Sequence, residues 1–505
     1  MKRILAIVLC LVLMLGCVGC AGEETVEVTE SDYTVGGEGG EGGSTTTTDT
    51  NVIGGQGGQG GSGGQGGSGG GSGSKDNRTF PDLKGAEIKI VATDANVFRT
   101  SKGSTPTTKA AYQAMQDIKK NLNCKVSISI QTHNAITSNM QKAQLAGEKF
   151  ADIVSMPTFA ATGPIIGGNA MDLNKIKTLD LKKDYMNVGN ILKNTSVKGK
   201  NFVLSSPRCG FASGKVVFFN KSILTELGYK QDHIYKLVDS GKWTISEMRA
   251  MAKKAVLDKD GKPGLSTKDR FGMLVNDYVC DAAIAVLAAN NAQMLKNNNG
   301  TITYNMESKE VINAVQLARD MYVNDGGAYG TSSNDQEHWD LFKTGHGLFL
   351  IGPGSAATVL SDMDADYGLV PFPTPNGKNF RSFVTWNAST IFVPTGLSEK
   401  EQNNVGHFLQ EYLYQESLVV EETYNEWGIR YLRDEQSKKN LKKVVESSEI
   451  RTDTFISSPS NWPLHEGTFR ILYSCIPDPE LSITATIGKG KNGAVAALND
   501  FLKKN

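Results

Sequence analysis

The pattern of hydrophobic and polar positions changes twice along the chain. An apolar run from Ile4 to Leu15 comes first, and residues 21–77 then contain almost no apolar side chains. From residue 78 onwards, short apolar segments with clear periods follow one another to the end. Because only residues 78–505 can bury enough apolar surface to form a core, the fold is expected there.

In residues 78–505, β-rich runs alternate with helical patterns. Residues 87–92 (EIKIVA), 125–130 (KVSISI) and 152–155 (DIVS) predict strands, and residues 107–122 have apolar side chains at helical spacing. Further strands are predicted at 215–219, 347–351 and 390–393, and further helices at 246–256, 282–289, 398–420 and 493–502. The β–α–β order predicts an α/β protein with a parallel sheet.

The size of this region predicts two lobes. Residues 78–505 number 428, whereas single cores stop growing near ~250–300 residues. No apolar run after residue 15 approaches the ~18–20 residues of a membrane-spanning helix.

The N-terminus indicates export and lipid attachment. Lys2 and Arg3 precede the apolar run Ile4–Leu15, which is too short for a mature membrane span. The following GCVGCA resembles a bacterial lipoprotein signal, in which a Cys after small residues becomes the first mature residue and carries lipid. We predict Cys20, with Cys17 as the alternative. Residues 1–20 are then a signal peptide, and the mature protein is anchored to the extracytoplasmic face of the cell membrane.

Residues 21–77 predict a disordered tether. Acidic residues are followed by a Thr run and by repeats of Gly-Gly-Gln and Gly-Gly-Ser. Such a linker of about 55 residues has a typical reach of roughly 40 Å. It would hold a folded domain away from a membrane surface.

Charge and cysteine content leave the partners of this domain largely open. The formal net charge is zero, and without Lys2, Arg3 and the eight acidic residues between positions 23 and 49 the chain has 51 basic and 45 acidic residues. Without a basic stripe interleaved with aromatics, nucleic acid is not expected as a partner. Four cysteines remain after residue 20, and sequence cannot choose among their three pairings: Cys124, Cys209, Cys280 and Cys475.

Residues 78–505 contain none of the familiar catalytic motifs. No Gly-Lys pair is followed by Ser or Thr, so a P-loop is absent, and H-E-x-x-H does not occur. The G-x-S-x-G spacing occurs only within the Gly-rich repeats, at 60–64 and 66–70, where no nucleophile elbow between a strand and a helix is expected. The six histidines lack metal-ligand spacing. We therefore predict no catalytic residue, no metal and no cofactor, although two carboxylates could still meet across a cleft as in a glycosidase.

A series of landmarks carries a resemblance to a known family. In chain order these are FADIV (150–154), GNAMDL (168–173), FFNK (218–221), KWTISEM (242–248), FKTGHG (342–347) with Gly352-Pro353, and VPFP (370–373). Their order and spacing resemble those of the extracellular solute-binding proteins, the family that includes maltose-binding protein. The resemblance covers nearly all of residues 80–505.

The resemblance implies a periplasmic-binding-protein-like fold, with two α/β lobes, a hinge and a ligand cleft between the lobes. Lobe one would hold residues 78–211 and 390–432, and lobe two residues 212–389 and 433–505. The chain would cross between lobes near 209–214, 383–389 and 429–432. The glycines of 210–214 could serve as a hinge or only form a loop.

Aromatic residues near these crossings are candidates for stacking on a sugar ring. Trp386 and Asn387 lie where chains of this family cross beside the ligand, Trp427 precedes the last crossing, and Trp462 lies where the family can place an aromatic over the cleft. Trp243, in contrast, matches a tryptophan at a helix start that is predicted to be structural.

Polar candidates come from the ends of predicted strands, where open α/β sheets bind ligands. Asp94 follows the first strand, Thr158 follows the strand at 152–155, and Ser213 lies at the first crossing. Tyr278 and Asp281 resemble the cleft loop of lobe two. Gly354 and Ser355 depart from the family, in which several sugar binders have an aromatic residue just after Gly-Pro.

The resemblance implies a monomeric binding protein that captures a small ligand, a carbohydrate and in particular an oligosaccharide, for the permease subunits of an ABC-type importer. The lobes would close over the ligand. A surface adhesin or a ligand-sensing receptor subunit with the same fold is the alternative, and an exported hydrolase is a more distant one.

Overall fold

The computed structural model describes residues 78–276, 281–331, 335–384 and 388–505. They belong to one compact unit, which begins at Asn77. The predicted signal peptide, Cys20 and the predicted tether lie outside the described residues. No helix within the described ranges combines the length and the apolar run that crossing a membrane requires.

The strands, in chain order, are β1 (Ala86–Ala92), β2 (Cys124–Ile130), β3 (Ile153–Pro157), β4 (Lys215–Asn220), β5 (Phe271–Asn276), β6 (Leu295–Asn298), β7 (Thr301–Tyr304), β8 (Ala328–Thr331), β9 (Gly347–Pro353), β10 (Tyr367–Pro371), β11 (Ser382–Phe383), β12 (Ser389–Phe392) and β13 (Ser448–Glu449).

The α-helices of the described residues are α1 (Pro106–Asn121), α2 (His133–Ala146), α3 (Thr158–Ile166), α4 (Ile191–Asn194), α5 (Cys209–Ser213), α6 (Lys221–Glu226), α7 (His233–Asp239), α8 (Ile245–Ala255), α9 (Asp281–Ala289), α10 (Lys309–Arg319), α11 (Asp335–Lys343), α12 (Ala356–Leu360), α13 (Glu399–Arg430), α14 (Glu435–Ser447), α15 (Thr452–Ile456), α16 (Trp462–Glu466), α17 (Phe469–Cys475) and α18 (Ile483–Lys504). Short 3-10 turns cover Leu173–Lys175, Asp184–Met186, Val188–Asn190 and Pro459–Asn461, and a π-turn covers Asp320–Asn324.

Sheet one has the strand order β12-β3-β1-β2. The central strand β1 is parallel to both β2 and β3, with Ile90 opposite Ile128 on one side and Ile153 on the other. The helices α1 and α2 make the connections, as expected for parallel neighbours. The predicted α/β class and parallel pairing are therefore confirmed, and β12 adds an antiparallel edge.

Sheet two has the order β10-β4-β9-β5-β8. The strand β5 is parallel to β8 and β9, whereas β4 is antiparallel to β9 and β10. Neighbouring residues of β4 face opposite sides, as the pleat requires. Phe219 packs in a core with Trp243 and Phe349, and Phe218 packs in a second core with Phe342 and α14. Both faces of sheet two are therefore covered.

Two predicted helices are too short in the sequence analysis. The structure extends the helix predicted at 398–420 to Arg430, because its second half packs Tyr424 into the core that covers one face of sheet two. The helix predicted at 493–502 begins at Ile483. Its glycines do not interrupt it, since Gly490 packs against Gly467, where a Cβ would lie 3.2 Å from the Gly467 Cα.

The C-terminal helices pack against both sheets. Phe469 and Ile487 lie in a core of sheet two, whereas Phe455, Leu464 and Phe501 lie in a core with β3 and α3 of sheet one. Residues 452–466, which the sequence analysis assigns to lobe two, thus contact α3. In this contact, the Ser460 hydroxyl donates to the carbonyl oxygen of Phe159 at 3.0 Å.

The hairpin β6–β7 also packs into the core that includes β3, and its tip contacts a second tight turn, at residues 198–199. Asn299 and Gly300 form the two-residue turn with φ of 52° and 91°. The N–H of Lys198 donates to the Gly300 carbonyl at 2.9 Å. A Cβ on Gly300 would lie 2.6 Å from the backbone nitrogen of Gly199, so only glycine fits there.

We expect Gly300→Ala to lower the free energy of unfolding by about 2 kcal/mol or more, because backbone strain and a backbone clash act together. Gly264→Ala is the matched control, since Gly264 has φ of 86° and a Cβ added there would meet no other atom within 4 Å. The control should lose only ~1 kcal/mol from strain. Urea unfolding measures both, and equal losses would contradict the turn-on-turn contact.

Candidate functional site

Two chain crossings connect the sheets and pair with each other. Leu204 bridges to Ile391 at sheet one, and Gly214 bridges to Val384 between the two crossings. Beyond them, β11 pairs with β13 in parallel. The segments that link the sheets therefore lie side by side, and the residues at their ends share one region of the molecule.

The ends of β1 and β3 and the start of β12 meet at one edge of sheet one. Ser389 of β12 is opposite Pro157, the last residue of β3. Thr158 follows, and both its N–H and its Oγ1 donate to the carbonyl oxygen of Ala388 at 2.8 Å. The Thr158 hydroxyl is buried and its proton is committed, so it can offer only an acceptor to a ligand.

Asp94 lies two residues beyond β1 at the same edge and is exposed. Its Oδ1 accepts hydrogen bonds from the N–H and the Nδ2 of Asn96, at 2.8 and 2.9 Å. No hydrogen bond from the described residues reaches Oδ2, so this oxygen is open to a ligand.

Ser213 is the last residue of α5, which leads into β4, and is half-buried. The next residue, Gly214, accepts a hydrogen bond from the N–H of Gly354 at 2.9 Å, just after β9 ends. The first crossing therefore brings Ser213 to the edge of sheet two where β9 ends.

Gly354 has a steric reason to be glycine. A Cβ at this position would lie 2.2 Å from the carbonyl oxygen of Phe211 in α5. The departure from the family pattern after Gly-Pro thus allows α5 to lie directly against the end of β9.

Four predicted residues cannot be placed in full. Tyr278, Trp386 and Asn387 lie outside the described residues. Asp281 begins α9, and only its backbone position is described. In sequence, Tyr278 falls between β5 and α9, and Trp386 and Asn387 fall between Val384 and Ala388.

The two remaining predicted tryptophans differ in burial. Trp427 is half-buried and packs against Phe211 and Tyr431, with ring centroids 6.0 and 5.4 Å apart. Trp462 is 52% exposed and stacks on His465 at 5.4 Å. Trp462 is therefore the more accessible of the two to a ligand, whereas Trp427 also packs against Phe211 of the first crossing.

Trp243 is structural, as the sequence analysis predicted. It is fully buried in the core of sheet two, and its Nε1 donates to the carbonyl oxygen of Pro371 at 2.9 Å. Cys124, Cys209 and Cys475 are free thiols, and Cys280 lies outside the described residues. No disulfide therefore joins the three described cysteines.

Sequence reasoning missed a buried ion pair at the first crossing. Glu416 of α13 accepts hydrogen bonds from the Nε and Nη2 of Arg208, at 2.8 and 3.1 Å, and from the Ser206 hydroxyl at 2.8 Å. Burial alone would lower the pKa of Arg208, but Glu416, Tyr412 and Asp94 together raise it above its ordinary value. No sequence signal links residues 208 and 416, which only the tertiary structure brings together.

One acidic cluster lies away from both sheet edges. Oxygens of Asp258, Asp260 and Asp269 come within 4.8 Å of one another in the loop before β5. The buried Asp269 carboxylate accepts from the N–H groups of Ser266 and Lys259, each at 2.7 Å, and these bonds lower its pKa to about 2. These bonds explain the cluster as a scaffold of the loop.

Two α/β sheets joined by paired crossings give a two-lobed fold of the periplasmic-binding-protein type. The sequence profile of the bacterial extracellular solute-binding proteins matches residues 101–413. The chain therefore belongs to the bacterial extracellular solute-binding protein family. No curated protein sequence matches it.

Solved structures share this fold at low identity. The maltose/maltodextrin-binding domain of Bdellovibrio bacteriovorus bound to maltotriose is 16% identical over 82% of this chain and all of that one, with a TM-score of 0.51. The cyclic α-maltosyl-1,6-maltose binding protein of Arthrobacter globiformis is 15% identical over 83% of this chain and all of that one, with a TM-score of 0.56. A sugar transporter of Rhizobium etli, in an open conformation, is 15% identical over 81% of this chain and 99% of that one, with a TM-score of 0.56.

We expect Trp427→Ala to destabilise the protein more than Trp462→Ala does. Truncating the half-buried Trp427 removes its packing on Phe211 and Tyr431, at a cost of about 2 kcal/mol. Trp462 is half exposed, so its loss should cost no more than ~1 kcal/mol. Thermal and urea unfolding of the two variants measure this difference, and the reverse order would contradict the packing described above.

Proposed function

We propose that this chain is a lipid-anchored extracellular solute-binding protein that captures an oligosaccharide for an ABC-type importer. The observation that carries the proposal is that the end of β3 in sheet one and the end of β9 in sheet two each lie against one of the paired crossings, within a chain of the solute-binding family. Structural neighbours bind maltotriose and cyclic maltosyl-maltose, and these ligands support a carbohydrate as the ligand class.

The proposed ligand lies between the edges of sheets one and two. Asp94 contributes an open carboxylate oxygen and Trp462 an exposed ring. The remaining proposed contacts are Thr158, Ser213, Tyr278, Asp281, Trp386, Asn387 and Trp427. An apolar ring face together with carboxylate and amide oxygens suits a pyranose, which has both C–H faces and hydroxyl groups.

Binding would close two lobes of one chain over the ligand. Lobe one would comprise residues 78–211 and 390–432, and lobe two residues 212–389 and 433–505. The contact of residues 452–466 with α3 crosses this proposed boundary, so closure would be a limited rotation in which the C-terminal helices slide on α3.

Proteins with the same fold can have other functions, and experiments with glycans would distinguish them. A hydrolase would release product from a bound oligosaccharide. An adhesin or a sensing subunit would bind ligand but would not support import by a permease. The binding proteins among the structural neighbours favour capture without chemistry.

Calorimetric titration of the full chain tests the proposal, with maltotriose, maltotetraose and cycloalternan as ligands. We expect one binding site for at least one glycan. A ligand concentration of a hundred times Kd should raise the free energy of unfolding by ~2.7 kcal/mol, and chromatography should find no product.

Scattering should show that the protein is a monomer and that it becomes more compact when saturated with ligand. Trp386→Ala should weaken binding roughly thirtyfold, or ~2 kcal/mol, and Trp462→Ala about tenfold.

Leu418→Ala is the control for these variants, because Leu418 is an exposed residue of α13 outside the proposed site. It should leave affinity unchanged. Absence of binding to all three glycans would overturn the carbohydrate proposal, and release of shorter glycans would replace capture with hydrolysis.

The lipid anchor is tested separately. We expect mass spectrometry of the membrane-extracted protein to find a diacylated chain that starts at Cys20. Cys20→Ser should release the protein from the membrane fraction, whereas Cys17→Ser should leave it anchored. A mature chain that starts at Cys17, or an unmodified chain that starts beyond residue 20, would contradict the assignment.

A further inference from the structure

Helix α13 holds two segments of the proposed site from one side. Tyr412 and Glu416 are one helical turn apart, so their side chains project from the same face. Both are buried. They contact different parts of the chain, and each contact ends close to the edge of sheet one.

Tyr412 anchors the loop that carries Asp94. Its hydroxyl donates to the carbonyl oxygen of Val97, and its ring lies 4.3 Å from the ring of Phe98, centroid to centroid. Phe98 is fully buried. Although Asp94 is exposed, the loop behind it is therefore held firmly in place.

Glu416 anchors the first crossing in the same way. Its carboxylate receives the Nε–Nη2 edge of Arg208 and the hydroxyl of Ser206. The side chain of Glu416 is 4% exposed and that of Arg208 is 19% exposed. Arg208 is thus fixed at one edge of its guanidinium and still reaches solvent.

Asp94 and Arg208 lie close enough to act on each other electrostatically. The Asp94 charge is among the influences that raise the pKa of both Arg208 and Tyr412. Within the described residues, the Arg208 Nη1 makes no hydrogen bond. The geometry agrees, because adjacent turns of α13 hold the loop of Asp94, through Tyr412, and the segment of Arg208, through Glu416, next to each other.

We infer that Arg208 is a ligand-contact residue that forms, with Asp94, a donor–acceptor pair for adjacent hydroxyl groups of a neutral sugar. This inference rests on the proposed function. Asp94 Oδ2 would accept a proton from one hydroxyl, and Arg208 Nη1 would donate to the oxygen of the same hydroxyl or its neighbour. Glu416 and Tyr412 are positioning residues for the pair.

The arrangement favours a neutral sugar over an acidic one. The Nε–Nη2 edge that would bind a ligand carboxylate through two parallel hydrogen bonds is already occupied by Glu416. The negative charges of Glu416 and Asp94 both act on Arg208, and they oppose a further negative charge there. An acidic sugar would therefore gain little from Arg208 and would be repelled by Asp94.

Arg208→Lys in the full chain separates ligand contact from a structural ion pair. A lysine can still pair with Glu416, but its single ammonium then leaves no donor at the position of Nη1. The matched control is Arg249→Lys. Arg249 lies on α8, beside sheet two, and its Nε and Nη2 donate in the same way to the carboxylate of Asp325, at 2.7 and 2.9 Å.

Titration uses maltotriose, maltotetraose and cycloalternan as neutral probes and trigalacturonate as the acidic probe. We expect Arg208→Lys to weaken neutral glycan binding at least tenfold and Arg249→Lys to change it less than twofold, with similar unfolding midpoints for the two variants. The unmodified protein should bind trigalacturonate at least tenfold more weakly than its best neutral glycan.

A second variant tests whether the loss of affinity comes from misfolding. Arg208→Gln combined with Glu416→Gln removes both charges, so no unpaired carboxylate stays buried. It should reproduce the loss of affinity. Unchanged affinity in both Arg208 variants, or equal binding of trigalacturonate, would overturn this inference and leave the proposed function intact. No neutral glycan binding by the unmodified protein would overturn both.

Discussion

The packing of α13 is the constraint on which the rest of the structure depends. This helix has 32 residues and so spans about 48 Å. Its first half packs Val405 and Leu409 into a core of sheet one, and its second half packs Tyr424 into a core of sheet two. Because a helix resists bending, α13 limits how far the two sheets and the crossings between them can move relative to one another.

The C-terminal helices add a second link between the sheets. Helix α18 contributes Ile487 to a core of sheet two and Phe501 to a core that includes β3. A purely hinged pair of lobes would have contacts only through the crossings. Here, apolar surface on α3 is already buried against residues 452–466, which limits how far the edges of the two sheets can separate without exposing it.

Much of the fold could be predicted from periodicity, and the failures have local causes. The strands at 86–92 and 124–130 match their predicted spans within one residue, because period-two runs of β-branched residues have few alternatives. The predicted helix at 493–502 starts ten residues later and ends two residues earlier than α18, since Gly488 and Gly490 are typical of a break. In the structure, Gly490 permits close approach to another chain segment, which no single-sequence pattern reveals.

The sequence by itself determined the α/β class, the order of the strands along the chain and the positions of polar residues just after strands, such as Asp94 and Thr158. These depend on local periodicity and on chain neighbours. Only the tertiary structure decided that Thr158 donates its proton to Ala388, that Trp427 packs while Trp462 is exposed, and that Arg208 meets Glu416. Those outcomes depend on contacts between residues far apart in sequence, for which burial and hydrogen-bond geometry, not composition, select the partner.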